Sequence, residues 1–392
     1  MFCVSQKPLD KLLGMYYKSL CFEAQLYIAK PRTRHFIVVE QPHNMPTHHI
    51  GAKTAVYIMV KRNISTLDAI KLVATSLGIR QHCIGYAGLK DAKATTLQYI
   101  TIDLNCIRKK VPKLVRIDAP TRTLWIRFVG YASTTLRPGL LRGNTFYVCV
   151  EGADINKIKK LDKSEINILA YYGYQRFGTR RPNTHTIGLL MLMSPSLYIR
   201  ELLFEPYPDE KLETTRSRLK REPMLHLEKK ITRSLNKIRS PQHIRPSFEV
   251  LRLFASALQA YFFNRYISKR IYYYEDVRKK IEGEKWDGTR PLAPVVGEDM
   301  ERSSDAAKLY KEILEEEMLT FEDLKLFRMY GVRLITHYRP LYTRTKLSVT
   351  VHKERAWITF SLERGMYATL VLRELGIEES PPEKDTTVND YA

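Results

Sequence analysis

The chain has 392 residues, and its composition, 44% apolar and 10% aromatic, excludes a mainly disordered protein. Its length exceeds the size at which one hydrophobic core usually keeps growing, so two domains are expected. The 64 Lys and Arg side chains outnumber the 42 Asp and Glu side chains, which gives a net charge of +22. This excess favours a polyanionic partner, because basic side chains that neutralise phosphates release counterions. An ordinary basic protein is the alternative.

The cysteines form no CxxC pair and no Cys/His spacing typical of a zinc site: Cys3, Cys21, Cys83, Cys106 and Cys149. An odd, scattered set predicts reduced thiols. The N-terminal segment lacks the apolar core of a signal peptide, and no stretch approaches the ~20 apolar residues that cross a bilayer. We therefore expect a cytoplasmic protein with no structural metal and no membrane association.

The first 150 residues alternate strand and helix patterns. Short β-branched runs predict strands at residues 36–40, 55–60, 98–104, 124–129 and 145–151. After the second strand, apolar residues recur at three- and four-residue spacing, which predicts a helix that Ser65 or Thr66 caps and Gly78 ends. A Gly-containing loop at 85–94 follows. This part of the chain is predicted to be an α/β mixture with a sizeable sheet.

From about residue 180 the character changes. Residues 176–280 carry 22 basic and 10 acidic side chains, an excess of 12. Helices are predicted at 210–221, 225–239 and 248–274, with an acidic helix at 308–318. The third helix carries an aromatic and aliphatic stripe, predicted to be a buried seam or else a base-stacking platform: Phe254, Leu258, Phe262 and Tyr266. Three basic residues of this helix are expected on the surface: Arg265, Lys269 and Arg270.

The last part of the chain returns to strand patterns, at 347–351 and 356–361, before a helix at 366–375. The polar tail from Ser380 is predicted to be disordered. The residues alone therefore predict a mixed α/β domain interrupted by a basic helical insertion.

The loop at 85–94 is the strongest candidate for chemistry. Its small residues let a ligand approach the backbone. Asp91 lies between Lys90 and Lys93, and nearby positive charge favours an ionised carboxylate, which nucleophilic catalysis requires. The alternative is a Gly-rich turn whose aspartate caps a backbone amide.

This loop is the first of several segments that resemble one family. Residues 85–98, GYAGLKDAKATTLQ, resemble the hallmark of the TruD-type pseudouridine synthases, a Gly-x-Lys-Asp core with a Gln seven residues after the Asp. Lys30 and Phe36 keep the family's six-residue spacing. Further segments are similar to family blocks in the same order: 36–40, 137–146 (RPGLLRGNTF), 171–178 (YYGYQRFG), 262–264, 286–288, 365–369 and 372–375.

The resemblance implies an α/β (α+β) fold. The pseudouridine synthase catalytic domain, with a mixed, mostly antiparallel central sheet, would comprise residues 1–179 and 335–392. An inserted, basic, α-rich TRUD domain, residues 180–334, would bind RNA. The charge contrast between the two parts of the chain suggests the hypothesis that this domain lies opposite the sheet. The implied function is isomerisation of uridine to pseudouridine in tRNA by a monomer without a cofactor. The implied position is uridine 13, and archaeal and eukaryotic members also act on uridine 35 of tyrosine tRNA.

The resemblance also implies roles for individual residues. Asp91 would be the nucleophile, attacking the ribose at C1′ or the uracil at C6, before the base rotates and rejoins through C5. Lys30 would pair with Asp91 in a water-poor pocket, with a surface lysine as the alternative. Phe146 would stack on the target base, with Asn144 hydrogen-bonding beside it. The alternative places Phe146 in the core.

Three further residues are expected at the site. Phe36 would be a pocket wall or a core residue, and Lys90 would contact the substrate. Arg176 would bind phosphate or hold the active-site loop, whereas a structural role is expected for its neighbour Gln175. No metal-ligand cluster or phosphate-binding loop pattern accompanies these residues.

Two other functions compete with this one. The first is a non-catalytic RNA-binding or RNA chaperone protein on the same scaffold. The second is a metal-dependent nuclease that uses Glu40, Asp91 and Asp103.

Overall fold

The computed structural model describes residues 2–43, 51–107, 111–119, 122–178, 182–194 and 246–379. The helices predicted at 210–221 and 225–239 and the tail from Ser380 lie outside these ranges. The chain divides into two compact units. The helical unit comprises Met1–Ser19 and Leu169–Tyr342, and the sheet unit comprises Leu20–Ile168 and Thr343–Ala392. The functional domains expected at 1–179 with 335–392 and at 180–334 stay a prediction.

The described strands are, in chain order, β1 Cys3–Val4, β2 Tyr17–Lys18, β3 Leu26–Ile28, β4 Phe36–Pro42, β5 Thr54–Arg62, β6 Ile84–Tyr86, β7 Thr95–Asp103, β8 Leu114–Ala119, β9 Arg122–Ala132, β10 Leu141–Glu151, β11 Glu165–Leu169, β12 Lys285–Trp286, β13 Pro291–Val295, β14 His337–Pro340, β15 Tyr342–Lys346, β16 Ser348–His352, β17 Arg355–Glu363 and β18 Ile377–Glu378. The α-helices span Pro8–Leu12, Arg32–His35, Thr66–Leu77, Ile155–Lys159, Thr184–Met193, Phe248–Tyr274, Asp305–Glu316 and Ala368–Glu374.

An 11-stranded sheet forms the sheet unit. Its central path runs β16-β17-β10-β4-β7-β5-β9-β8, and β3, β6 and β18 pair alongside. The pairs β4–β7 and β3–β18 are parallel, and the other pairs described in this sheet are antiparallel. The expected mixed, mostly antiparallel sheet and the α/β class are confirmed.

The helix Thr66–Leu77 covers one face of this sheet. The Ser65 side chain accepts a hydrogen bond from the Asp68 amide, and Gly78 ends the helix with φ 65, as the cap and stop signals predict. Its buried residues Ile70 and Val73 pack against the apolar side chains of β5, β7 and β9. Packing against the sheet stabilises a helix that would be marginal in isolation.

The helical unit is built on the long helix Phe248–Tyr274. The stripe predicted on it is fully buried, at 0–2% exposure, so the seam interpretation is confirmed and the stacking platform is wrong. The surface placement of two basic residues is also wrong, because Arg265 and Arg270 are buried. Arg270 Nε lies 3.0 Å from Glu284 Oε1, and this pairing allows the charge to be buried. Within the described residues, no helix is long and apolar enough to span a bilayer.

The expectation of reduced thiols is wrong for four cysteines. Cys83 and Cys106 form a disulfide with their Cα atoms 6.2 Å apart. Cys3 and Cys21 are also disulfide-bonded, and Cys149 is free and buried. Ile84 pairs with Ile102 in the sheet. This pairing explains the first bridge, because it brings Cys83, just before β6, close to Cys106, just after β7.

Gly143 illustrates how closely β10 approaches β17. A Cβ added at this position would lie 2.1 Å from the Leu362 carbonyl oxygen, which belongs to rigid backbone. We expect Gly143→Ala to lower the free energy of unfolding by about 1–3 kcal/mol, because the strands must separate locally. Urea denaturation measures this. Gly88→Ala is the control, since its added Cβ meets only side-chain atoms at 3.4 Å and beyond; equal losses in both variants would contradict the argument.

Candidate active site

The loop between β6 and β7 carries Asp91, and its backbone is fastened by buried side chains. Thr66 Oγ1, at the start of the covering helix, accepts from the Lys90 amide at 2.9 Å. Gln98 Nε2 donates to the Gly88 carbonyl at 3.2 Å, and Thr66 Oγ1 donates to Gln98 Oε1 at 3.1 Å. The motif glutamine therefore holds the loop from within the sheet.

Lys61 supplies a third attachment for the loop. Its side chain is fully buried, and its Nζ donates to the carbonyls of Ile64 at 2.9 Å, Lys90 at 3.3 Å and Asp91 at 2.8 Å. Burial lowers the pKa of this ammonium to about 8. The buried ammonium of Lys61 thus holds the backbone of Asp91, the candidate nucleophile.

The side chains of the loop face outward although its backbone is fixed. Leu89, Asp91, Ala92 and Lys93 are all exposed, with Leu89 at 65%. The Asp91 carboxylate is therefore accessible to a large substrate while its main chain is held still. An accessible, positioned carboxylate is what nucleophilic attack requires.

Lys90 points inward, in contrast to Asp91. Its Nζ lies 2.5 Å from Glu40 Oε2, and the two side chains are 5% and 1% exposed. Glu40 Oε1 also accepts from the Tyr99 amide at 3.1 Å. The Lys90 ammonium therefore forms a buried ion pair with Glu40 beneath the loop.

Strand register places Phe146 and Asn144 on the same face of the sheet as Lys61. Residues directly opposite each other on neighbouring strands share a face. Lys61 is opposite Thr96, which is opposite Val38, and Phe146 follows in the same row. In the adjacent row Asn144 is opposite Glu40. One sheet face therefore carries a buried polar group beside aromatic residues.

Asn144 has an unusual environment in this row. Its Oδ1 atom is buried and makes no hydrogen bond to any described residue. A buried acceptor without a partner costs about 1–3 kcal/mol, and most such atoms in proteins are paired. This oxygen therefore has an unused hydrogen-bonding capacity among the described residues.

Phe36 and Phe146 lie in an aromatic cluster. Phe146 is stacked on Phe360 with ring centroids 5.3 Å apart, and it meets Phe36 edge-on at 6.2 Å. Phe36 is 1% and Phe146 is 7% exposed. Three strand steps of ~4.8 Å separate Lys61 from Phe146, about 14 Å in all. These contacts favour the core alternative for both rings.

Lys30 is exposed and lies between β3 and the helix Arg32–His35. Lys30 and Asp91 are both described residues, and no ion pair within 4.0 Å joins them, so their pairing stays a prediction. The segment after Lys30 nevertheless touches the loop. Arg32 donates to the Lys93 carbonyl and lies over the Phe36 ring at 4.2 Å.

Arg176 belongs to the helical unit, where it ends the 3₁₀ turn Tyr174–Arg176. Its Nε atom is buried without a hydrogen-bond partner among the described residues. Gln175 is exposed in the same turn. The expected phosphate contact or loop-holding role of Arg176 stays a prediction.

Comparison with known proteins identifies the family to which this chain belongs. The sequence model of a family described as "tRNA pseudouridine synthase D (TruD)" matches residues 27–287 and 285–375. This chain belongs to the TruD family. The predicted family and the predicted isomerase class are thereby confirmed.

Archaeal TruD relatives span nearly the whole chain. A "Probable tRNA pseudouridine synthase D" from Methanopyrus kandleri is 30% identical over 381 residues, covering 91% of this chain and 90% of the relative. One from Methanococcus maripaludis is 30% identical over 353 residues, covering 81% and 84%. A crystal structure from Methanosarcina mazei whose description names TruD superposes with a TM-score of 0.70 at 21% identity, covering 95% of this chain and 98% of that chain. It supports the TruD fold.

Two features of this candidate site were not predicted from the sequence: the presence of Lys61 and the pairing of Glu40 with Lys90. Lys61 lies on the same face of β5 as the buried residues Ala55, Tyr57 and Met59. A charged residue at a position where the alternation predicts a buried one was the signal that could have identified it. Glu40 similarly continues the buried face of β4. The sequence alone did not indicate that Lys61 contacts the loop or that Glu40 pairs with Lys90.

The three carboxylates of the nuclease hypothesis do not converge. Asp103 ends β7 and caps the turn that follows it, accepting from the Asn105 amide. β7 has nine residues, so Asp103 lies roughly 25 Å from the end near Asp91. Glu40 is already paired with Lys90. This geometry does not favour a nuclease site in the TruD sheet.

Proposed function

We propose that this chain isomerises uridine to pseudouridine in tRNA, with Asp91 as the nucleophile and without a cofactor. The observation that carries the proposal is the contrast within the loop. Its backbone is fixed at Gly88, Lys90 and Asp91, whereas the Asp91 side chain is exposed. Such an arrangement positions a carboxylate and keeps it accessible to a polymer.

The reaction balances without any other reactant. The bond between N1 of the uracil and C1′ of the ribose breaks, and a bond between C5 and C1′ forms. The proton on C5 is lost and N1 gains one. Asp91 would add covalently to C1′ or to C6 and leave again, and both routes stay open.

Asn144 provides a second support for a uracil site. Its buried, unpaired Oδ1 could accept a hydrogen bond from the N3–H of a uracil. A site that leaves a polar atom unpaired until the correct ligand arrives favours that ligand over analogues lacking the donor. We propose Asn144 as a base-recognition residue, whereas the buried rings of Phe36 and Phe146 belong to the core beside it.

The surroundings of the loop favour an RNA strand. The Gly139 amide donates to the Ala87 carbonyl at 2.8 Å, which fastens residues 137–142 beside the loop. Arg137 and Arg142 are exposed in this segment, as is Lys93 in the loop itself. Exposed cations around a reactive carboxylate would hold phosphates on either side of a uridine that has left its stack.

The experiment uses the purified full chain and an unmodified tRNA transcript, with pseudouridine mapped by chemical labelling and primer extension. We expect modification at uridine 13, and a transcript with cytidine at that position should stay unmodified. Tyrosine tRNA carrying uridine 35 tests the second position. Binding should weaken steeply with salt. Tight binding to all tRNAs with no pseudouridine formed would instead support the non-catalytic RNA-binding function.

A further inference from the structure

We propose that Lys61 is a positioning residue for this reaction, whose ammonium grips the main chain of the loop and thereby determines where the Asp91 carboxylate lies. This inference rests on the proposed role of Asp91. Lys61 does not touch the substrate in this proposal; it acts through the backbone of the nucleophile.

The hydrogen-bond geometry carries the argument. An ammonium has three N–H donors. Lys61 Nζ has three carbonyl partners, those of Ile64, Lys90 and Asp91, at 2.9, 3.3 and 2.8 Å. Donors and acceptors match only while the amine is protonated, because a neutral amine has two donors and a lone pair that would face a carbonyl oxygen.

The location of Lys61 explains why its hydrogen bonds can hold the loop in a defined position. Its backbone lies inside β5, paired on both sides, opposite Thr96 of β7 and Leu124 of β9. The covering helix begins only a few residues later, at Thr66, whose hydroxyl accepts from the Lys90 amide. The loop is therefore anchored to β5 and to the helix Thr66–Leu77. Such rigid elements position a reacting group more precisely than a loop does alone.

The electrostatic surroundings of Lys61 are simple. Burial lowers its pKa from an ordinary 10.5 to about 8; attraction to the Asp91 carboxylate opposes this shift, and repulsion by the Lys90 ammonium adds to it. Lys90 is itself paired with Glu40 on β4. The helix and β7 contribute uncharged polar groups, Thr66 and Gln98, near the same loop.

Opposite trends of rate and stability with pH follow from this arrangement. Above about pH 8 the folded chain loses the Lys61 proton, which removes one of the three hydrogen bonds, so the rate should fall. Unfolded chains keep that proton up to about pH 10.5, so they bind more protons between these values and stability rises with pH there. If Lys61 had a purely structural role, loss of its proton would change the stability and leave the reaction rate unchanged.

The test is a single-turnover assay with enzyme in excess over tRNA. We expect Lys61→Met to lower the rate constant about 100-fold at unchanged tRNA affinity, because small misplacements of a reacting group have effects of this size. Its residual rate should lack the decline above about pH 8. Lys61→Arg, charged at every accessible pH, should also lack the decline. Lys71→Met, at an exposed position of the covering helix, is the matched control and should behave as wild type.

Backbone hydrogen exchange provides a readout that does not depend on activity. In Lys61→Met the amides of residues 88–94 should exchange faster, while those of β5 and β7 should keep their protection. A folded Lys61→Met protein with a wild-type rate and wild-type exchange would overturn the proposal. If this variant does not fold, the pH profiles of wild type and Lys61→Arg decide, and a wild-type rate that does not decline above about pH 8 overturns it.

Failure of the proposed function gives a different result. It would appear as a wild-type chain that forms no pseudouridine, or as an Asp91→Asn variant that still forms it. Failure of the Lys61 proposal leaves wild type active and Asp91→Asn inactive. Ionisation of the RNA bases at high pH affects all variants equally, so comparison between variants removes it.

Discussion

Asp91→Asn is expected to abolish pseudouridine formation, with a fall of about 10⁴-fold or more in the single-turnover rate constant. The amide keeps the shape of the side chain but is not a nucleophile, so neither attack on C1′ nor attack on C6 can occur. The loop should stay in place, because its attachments use the backbone of Asp91 and the side chains of other residues. Affinity for tRNA should therefore be retained.

Glu354→Gln is the matched control for this substitution. It makes the same change from carboxylate to amide at an exposed position between β16 and β17. Both proteins would be assayed on the same transcript, with binding measured by filter retention. Pseudouridine formation by Asp91→Asn at a rate comparable to the control would mean that another residue is the nucleophile.

Glu40→Gln is expected to have the largest effect on stability, a loss of about 3–5 kcal/mol in the free energy of unfolding. The Glu40 and Lys90 side chains are almost completely buried and 2.5 Å apart. Removing the carboxylate leaves the Lys90 ammonium inside the protein without its counterion. Urea denaturation at neutral pH measures the loss.

Two further variants identify the cause. Glu40→Gln combined with Lys90→Met should recover much of the stability, because no unpaired charge then remains. Glu151→Gln removes the carboxylate of a surface pair with Arg355, whose side chains are 39% and 49% exposed, and should change stability by no more than about 1 kcal/mol. A double variant no more stable than Glu40→Gln would show that the ion pair is not responsible.

Local patterns in the sequence were sufficient for most elements of the fold. Short β-branched runs located β4, β5, β7, β9 and β10, and the helix Phe248–Tyr274 begins and ends where its pattern predicts. The ends of the helix Thr66–Leu77 follow from the capping serine and from Gly78. These features are local, since each depends on side chains within a few residues of one another.

The motif also located the loop and its aspartate, yet it left open what holds them. Lys61 lies 30 residues before Asp91, and Glu40 lies 50 residues before Lys90. Their contacts exist because β4 and β5 flank β7 in a particular register, and a shift of one residue would turn both side chains to the other face. The pairing of Cys83 with Cys106 and the burial of Arg270 depend on similarly distant contacts.

The sequence by itself determined that this is a basic, mixed α/β protein of the TruD family with an aspartate in a Gly-rich loop. Only the tertiary structure decided that Lys61, Glu40 and Gln98 surround that loop and that Phe36 and Phe146 pack into a shared aromatic cluster. The physical reason is the range of the forces involved. Helix caps and strand alternation act over a few residues, whereas a buried charge requires a partner wherever the folded sheet brings one.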